Sequence, residues 1–101
     1  MTIEKKENGK EITLLLEGRL DSTTAPQLEE RIIDEVSEGA ERLILDFQGL
    51  EYLSSEGLRV LMSAHRYFMR KGKGEMIIRH VNEIIQEDME VTEFLDMFTM
   101  E

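Results

Sequence analysis

The feature that most constrains the fold is a short, continuously apolar segment near the middle of the chain. Leu43, Ile44 and Leu45 are adjacent, and Phe47 follows after one acidic residue. A strand with apolar side chains on both faces is typical of the centre of a sheet that is covered on both sides. We therefore predict that residues 43–47 form a central strand and that residues 48–53 form a loop after it.

The N-terminal part of the chain predicts a β-hairpin. Asn8-Gly9 is a strong turn signal, because both residues tolerate the positive φ angles of a tight turn. Residues 3–7 before it form a short polar pattern that suits an edge strand. Residues 11–20 after it alternate apolar and polar side chains, as a strand does. Leu15 breaks this alternation, which indicates that the second face of the strand is also covered.

Helical patterns follow the strands. Thr24 and Gln27 fit a capping box with Pro26 in the first turn, and this predicts a first helix that ends near Gly39. A second helix opens at Ser54 or Ser55. Five apolar residues recur on it at helical spacing: Leu58, Leu61, Met62, Phe68 and Met69. We predict that Leu58, Leu61 and Phe68 are buried and that Lys71-Gly72-Lys73-Gly74 ends the helix.

The C-terminal part adds one more strand and two short helices. Residues 76–78 are apolar and predict a strand. Asn82 can cap a third helix, which bears Ile84, Ile85 and Met89, and Thr92 can cap a last helix, which bears Phe94, Leu95 and Phe98. The order β-β-α-β-α-β-α-α predicts a single α/β domain over residues 1–101, with a mixed four-stranded sheet and about four helices packed on it.

Composition excludes several function classes. The chain has 101 residues, enough for one core, and its 12 Lys and Arg against 22 Asp and Glu leave a net charge of −10. This charge argues against sequence-independent binding to nucleic acid and against an anionic membrane surface. The absence of cysteine excludes disulfides and zinc-thiolate sites. No apolar run is long enough to span a membrane, and residues 1–7 lack a signal-peptide core, so we expect a cytoplasmic protein.

The charges are unevenly distributed. Residues 59–80 contain six basic residues and one acid, whereas residues 81–101 contain seven acids and no Lys or Arg. Two interpretations are open: solvated helix faces of opposite sign, which is the commoner case, or a docking surface with a defined charge.

The candidate site lies where the central strand meets the second helix. Ligands and partners of α/β sheets gather beyond the carboxyl ends of the strands, and a helix N-terminus there favours an anion. This directs attention to Ser54 and Ser55. We predict that Ser54 caps the helix with its hydroxyl turned inward, and that Ser55 begins the helix with its hydroxyl exposed.

Catalytic constellations are weak in this sequence. His65 and His80 lie 15 residues apart on different predicted elements, and this spacing is not that of a metal-ligand pair. We predict that His65 is a half-buried packing residue and that His80 is solvated. No Gly-rich phosphate loop is present. We therefore predict no enzyme activity, no catalytic residue, no metal and no cofactor.

Three segments together resemble the STAS domains, named for sulfate transporters and anti-sigma factor antagonists. The most specific is Leu45-Asp-Phe-Gln-Gly-Leu-Glu-Tyr-Leu-Ser-Ser-Glu-Gly-Leu-Arg-Val-Leu61, which is similar to the family signature. Residues 16–26 resemble the second strand and helix entry of the family, and residues 89–98 resemble its closing helix. The resemblance covers nearly the whole chain in the right order. Without a membrane segment, the chain looks like a free-standing bacterial antagonist.

The resemblance implies a partner switch. In this family the unphosphorylated domain binds a serine kinase that acts as an anti-sigma factor, phosphorylation of a loop serine ends the binding, and a phosphatase restores it. That serine falls on Ser55 by position. The surrounding partner-binding residues would be Tyr52, Ser54, Ser55, Glu56, Gly57 and Arg59.

The chain departs from the family pattern in ways that leave alternatives open. Ser54 stands where the family often has Asp, Glu56 where it has a small residue, and Glu93 where it commonly has Gly. Glu56 would repel a phosphate on Ser55, which favours a second hypothesis: a STAS scaffold that is never phosphorylated. A third hypothesis, a nucleotide or small-ligand sensor, rests on fold analogy alone.

Overall fold

One five-stranded sheet organises the chain. The computed structural model describes residues 1–87 and 93–101. The elements in chain order are β1 (Thr2–Asn8), β2 (Glu11–Leu20), α1 (Ala25–Ser37), β3 (Arg42–Leu53), α2 (Ser55–Lys71), β4 (Glu75–Arg79), α3 (Glu83–Gln86) and β5 (Thr99–Met100). The strands lie side by side in the order β1-β2-β3-β4-β5. β1 is antiparallel to β2 and the other pairs are parallel, so the predicted mixed sheet is confirmed.

The strand count differs from the prediction by one. β5 has only two residues, and it pairs through Thr99 with Ile77 and through Met100 with Ile78. A strand of two residues carries no alternation that a sequence pattern could reveal. Residues 93–95 are helical. Met89, predicted to lie on the third helix, and Thr92, predicted to cap the last one, lie outside the described residues.

The hairpin at the start of the chain is confirmed. β1 lies at the edge of the sheet, and Asn8 pairs with Glu11 across a two-residue turn formed by Gly9 and Lys10. Gly9 has φ +63°, the left-handed conformation that makes glycine suitable there. The turn therefore begins one residue later than the Asn8-Gly9 pair itself.

The central strand is buried on both faces, as its sequence predicts. Leu43, Leu45 and Phe47 are fully buried in the main core, which also contains Leu58, Leu61 and Phe68 of α2. Ile44 points to the opposite face and is also fully buried. The central position of β3 therefore follows from its continuous apolar run.

The predicted loop after this strand is wrong, because β3 continues to Leu53. In this second half Gly49, Leu50, Tyr52 and Leu53 pair with β2, and the register shifts twice along the pairing. The shifts break the alternation of buried and exposed side chains, so the local pattern resembles a loop. The longer strand brings the start of α2 next to the end of β2.

The predicted capping box of α1 is also wrong. Thr24 makes no side-chain cap bond, and its hydroxyl donates to the Arg19 carbonyl at 2.7 Å. Asp21 instead stabilises the turn before the helix, because its carboxylate accepts the N–H groups of Thr23 at 3.0 Å and Thr24 at 3.2 Å. The hydrogen bond from the Thr23 hydroxyl lowers the pKa of Asp21 below its ordinary value. The Thr24 hydroxyl is therefore used in the turn and not as a helix cap.

Asn82 caps α3 as predicted. Its side-chain oxygen accepts the N–H of Ile85 at 3.0 Å. The same amide donates to the carbonyls of Phe47, Gln48 and Leu50, at distances of 3.1, 3.2 and 2.8 Å. One side chain thus ties α3 to the second half of β3.

Within the described parts of the chain, no helix combines the length and the apolar composition that a membrane crossing requires.

The end of α2 yields a matched stability test. Gly72 and Gly74 both have positive φ, at +66° and +86°. A Cβ on Gly72 would meet no atom within 4 Å, whereas a Cβ on Gly74 would lie 2.3 Å from the Glu41 carbonyl oxygen. We expect Gly72→Ala to lower the free energy of unfolding by about 1–2 kcal/mol from backbone strain alone. Gly74→Ala adds the clash and should cost about 2–5 kcal/mol.

Urea unfolding followed by circular dichroism measures both losses. Equal losses for the two variants would contradict the close packing of Gly74 against the chain that enters β3.

Candidate functional site

The β3–α2 junction is built around a buried serine. Ser54 has extended backbone angles at the N-cap position, and its Oγ accepts the N–H of Gly57 at 3.2 Å. Its own N–H donates to the Leu20 carbonyl at 2.9 Å, and the residue is only 8% exposed. The predicted inward cap is confirmed. This hydroxyl is committed to holding the helix start.

Ser55 is the first residue of α2 and is exposed, as predicted. It lines a small surface depression together with Leu58, Arg59, Met62 and Phe94. The N-terminus of a helix carries partial positive charge, which favours a negative group at this position. Glu56 already places one carboxylate in the first turn.

Gly57 seats the first turn of α2 on the sheet. A Cβ at this residue would lie 2.7 Å from Leu20 Cγ and 2.9 Å from Leu53 Cδ1, closer than real side chains allow. Gly57 is buried, so only its lack of a side chain lets the helix backbone approach the ends of β2 and β3. Ser54 and Gly57 therefore position the helix, whereas Tyr52, Ser55, Glu56 and Arg59 expose their side chains.

Arg19 extends this exposed surface and was missed from the sequence. Its guanidinium carbon lies 4.3 Å from the centre of the Tyr52 ring, a cation–π contact, and Tyr52 is 42% exposed. The Arg19 Nε is 3.7 Å from the Asp21 carboxylate. Arg19 and Tyr52 face each other because they are register partners across β2 and β3. No local signal indicates that pairing.

A second polar pair lies at the carboxyl end of β4. His80 is exposed, as predicted, but its Nδ1 lies 2.9 Å from the Oδ2 of the largely buried Asp46. The other carboxylate oxygen accepts the N–H of Gln48 at 2.9 Å. His80 has φ +58°, an uncommon conformation for a residue other than glycine. The position of Asp46 directly after the apolar run was the available signal for this pair.

The remaining histidine is a packing residue. His65 is half-buried, and its ring meets that of Phe98 edge-to-face at a centroid distance of 5.2 Å. This confirms the role predicted from its place beside the apolar stripe. Across residues 1–87 and 93–101, no three His, Asp or Glu side chains converge as a metal site would require.

The two adjacent serines offer a direct test of their different environments. Ser54→Ala removes the cap and should lower the free energy of unfolding by about 1 kcal/mol. Ser55→Ala removes an exposed hydroxyl and should change it by less than about 0.5 kcal/mol. Chemical unfolding of the two variants measures the difference. A larger loss for Ser55→Ala would contradict the assignment of Ser54 as the cap.

Sequence comparisons identify the family. Residues 2–101 match the STAS domain. A protein of Bordetella bronchiseptica described as an anti-sigma factor antagonist, BtrV, is 34% identical over 83 residues, which cover 82% of this chain and 71% of BtrV.

Solved structures share the fold. An anti-sigma factor antagonist from Mycobacterium paratuberculosis superposes with a TM-score of 0.82 at 20% identity, over 98% of this chain and 83% of that one. The antagonist SpoIIAA in its unphosphorylated form gives a TM-score of 0.78 at 18% identity, over 99% and 87% of the two chains. Its phosphorylated form, from Bacillus, gives 0.73 at 16% identity, over 99% and 91%. With a family match across almost its whole length, this chain belongs to the STAS domain family.

Proposed function

We propose that this protein is a cytoplasmic anti-sigma factor antagonist that works by partner switching. In its unphosphorylated form it binds an anti-sigma factor with serine kinase activity. Phosphorylation of Ser55 ends the binding, and a phosphatase restores it. The observation that carries the proposal is the exposed hydroxyl of Ser55 at the start of α2, on a helix turn held by the Ser54 cap and the Gly57 contact.

The comparisons support the general role. BtrV is described as an anti-sigma factor antagonist, and SpoIIAA carries the same description and has been solved with and without phosphate. These names belong to the relatives. In this chain, the neighbouring residues Ser54 and Ser55 offer one buried and one accessible hydroxyl. Only the accessible one suits a kinase, because a kinase must reach the oxygen that it modifies.

The expected effect of phosphate is loss of binding with the fold preserved. A phosphate on Ser55 adds about −1.5 to −2 charges. The N-terminus of α2 would stabilise this charge by roughly 0.3–1 kcal/mol, which is too little to rearrange the domain. A charge buried without a partner in an interface costs roughly 2–5 kcal/mol, or about thirty- to several-thousand-fold in affinity. The interface term is the larger one.

The partner surface in this proposal comprises the exposed side chains around the start of α2. Tyr52 offers an aromatic ring held by Arg19, and aromatic residues are enriched among the residues that dominate binding energy. Glu56 and Arg59 place opposite charges on the first two turns of the helix. Ser54 and Gly57 support these residues from below. The domain itself performs no catalysis in this scheme.

A second candidate function is a STAS scaffold that binds its partners without being phosphorylated. The exposed carboxylate of Glu56, next to Ser55 in the first turn of α2, favours this candidate. It already satisfies the positive end of the helix and would repel an incoming phosphate.

Phosphopeptide mapping separates the two candidates. The protein is incubated with ATP and each kinase-type anti-sigma factor of the source organism, and we expect phosphate on Ser55. Ser55→Ala should remain unmodified, whereas the matched variant Ser54→Ala should still be modified. Phosphate on Ser54 would refute the assignment. An unmodified protein that nevertheless binds would favour the scaffold.

Binding measurements test the surface. Using titration calorimetry with the same kinase, we expect Ser55→Asp to raise Kd by about thirtyfold or more, because it places a charge in the interface. Tyr52→Ala should raise Kd by about tenfold or more through loss of the ring. Lys6→Glu on the outer strand β1 is the control and should leave Kd unchanged. If Ser55→Asp and Tyr52→Ala both bind as the control does, the partner surface lies elsewhere.

A further inference from the structure

Three arginines form a stripe along the exposed side of α2. Arg59, Arg66 and Arg70 are all exposed, and they are separated by seven and four residues. At about 100° per residue they fall within roughly 40° of one another around the helix. With a rise of about 1.5 Å per residue, the stripe is roughly 16 Å long. We call these three residues the arginine face.

The positive charges of the arginine face are clustered, and they are not neutralised by ion pairs with described residues. Six other cations form ion pairs with carboxylates: Lys5, Lys10, Arg19, Arg42, Lys73 and Arg79. Neither Arg59, Arg66 nor Arg70 forms an ion pair with any residue that the structure describes. The helix that bears them contains a single acid, Glu56, although the chain as a whole carries a net charge of −10.

Apolar side chains accompany these charges. Met69 is 68% exposed, and Met62 is half-buried one turn before Arg66. Met62 also lines the depression that Ser55 and Arg59 share. Arginine and methionine together are typical of protein–protein interfaces, where both are enriched relative to the rest of the surface. A charged face that serves only to solvate the helix does not require an exposed methionine beside it.

We propose that the arginine face is a docking surface for an acidic segment of the anti-sigma partner. The proposal rests on the proposed function and extends it from the start of α2 to its last turn. Charge complementarity determines the chemistry of the occupant, since guanidinium groups bind carboxylates with two parallel hydrogen bonds. The strongly negative net charge makes nucleic acid a poor occupant, because its phosphates would be repelled by the rest of the domain.

The geometry connects this surface to the switch. Ser55 lies one turn before Arg59 on the same side of α2, and the two residues line one depression. A phosphate on Ser55 would compete with the partner's carboxylates for Arg59. Arg66 and Arg70 lie two to three turns further on, beyond the reach of that phosphate, and so they report on the docking surface alone.

Single charge reversals test the docking surface. Arg66→Glu and Arg70→Glu are compared with Lys6→Glu, which makes the same charge change at an exposed lysine of β1 that has no ion pair with a described residue. Association with the kinase-type anti-sigma factor that binds the wild type is followed by stopped flow. At about 0.05 M salt we expect each arginine reversal to slow association by about tenfold, and the control by less than about twofold. High salt should remove the difference by screening.

The possible outcomes are distinct. If the wild type binds but the arginine reversals behave like Lys6→Glu, the docking surface is refuted while the proposed function stands. If the wild type binds no anti-sigma factor of its source organism, the proposed function and this inference fall together. Arg66→Gln, which removes a charge without adding one, should lose less than Arg66→Glu, and circular dichroism confirms that each variant is folded.

A second copy of the chain is the competing occupant, because the surface of this protein is itself acidic. Sedimentation of the wild type and Arg66→Glu at low salt tests this case. We expect no difference in oligomeric state. Self-association that Arg66→Glu abolishes, with partner binding unchanged, would overturn the proposal.

Discussion

The close approach of α2 to the ends of β2 and β3 is the contact on which the rest of the site depends. The backbone at Gly57 rests directly on Leu20 and Leu53, and these two leucines are themselves register partners. A side chain at Gly57 would clash with these two buried leucines, so the first turn or the leucines would have to shift. The position of the exposed residues on this turn is therefore determined by apolar packing beneath it.

Two adjacent serines show how one residue type acquires two different roles. The Ser54 hydroxyl satisfies a backbone N–H that the helix start would otherwise leave unpaired, and it is buried in doing so. The next residue, Ser55, is rotated by about 100° around the helix and faces solvent. The junction thus combines a fixed helix start with an accessible hydroxyl oxygen. Here they are supplied by neighbouring residues with the same side chain.

The arginines of this acidic domain divide into those that form ion pairs with carboxylates and those that form none with a described residue. On the face of the sheet that carries Ile44, Arg42 pairs with Glu11 at 3.1 Å and with Glu101 at 2.8 Å, and Glu101 also pairs with Arg79. These arginines, Arg79 first, lower the pKa of Glu101 below its ordinary value. This network of ion pairs lies on one face of the sheet and joins β2, β3, β4 and the C-terminal residue. The three arginines of α2 form no ion pair with a described residue, and they are distinguished by lying together on one exposed side of a single helix.

The sequence by itself determined the features that depend on near neighbours. The apolar run of β3, the hairpin turn, the helix stripes and the caps at Ser54 and Asn82 all follow from residues within a few positions of one another, and so did the exposed Ser55. Tertiary structure alone decided the second half of β3, the two-residue β5, the contact of Arg19 with Tyr52 and the pairing of Asp46 with His80. The last two contacts join residues 33 and 34 positions apart. Periodicity and capping are local, whereas strand register is chosen by the packing of the whole sheet, with shifts that no local pattern encodes.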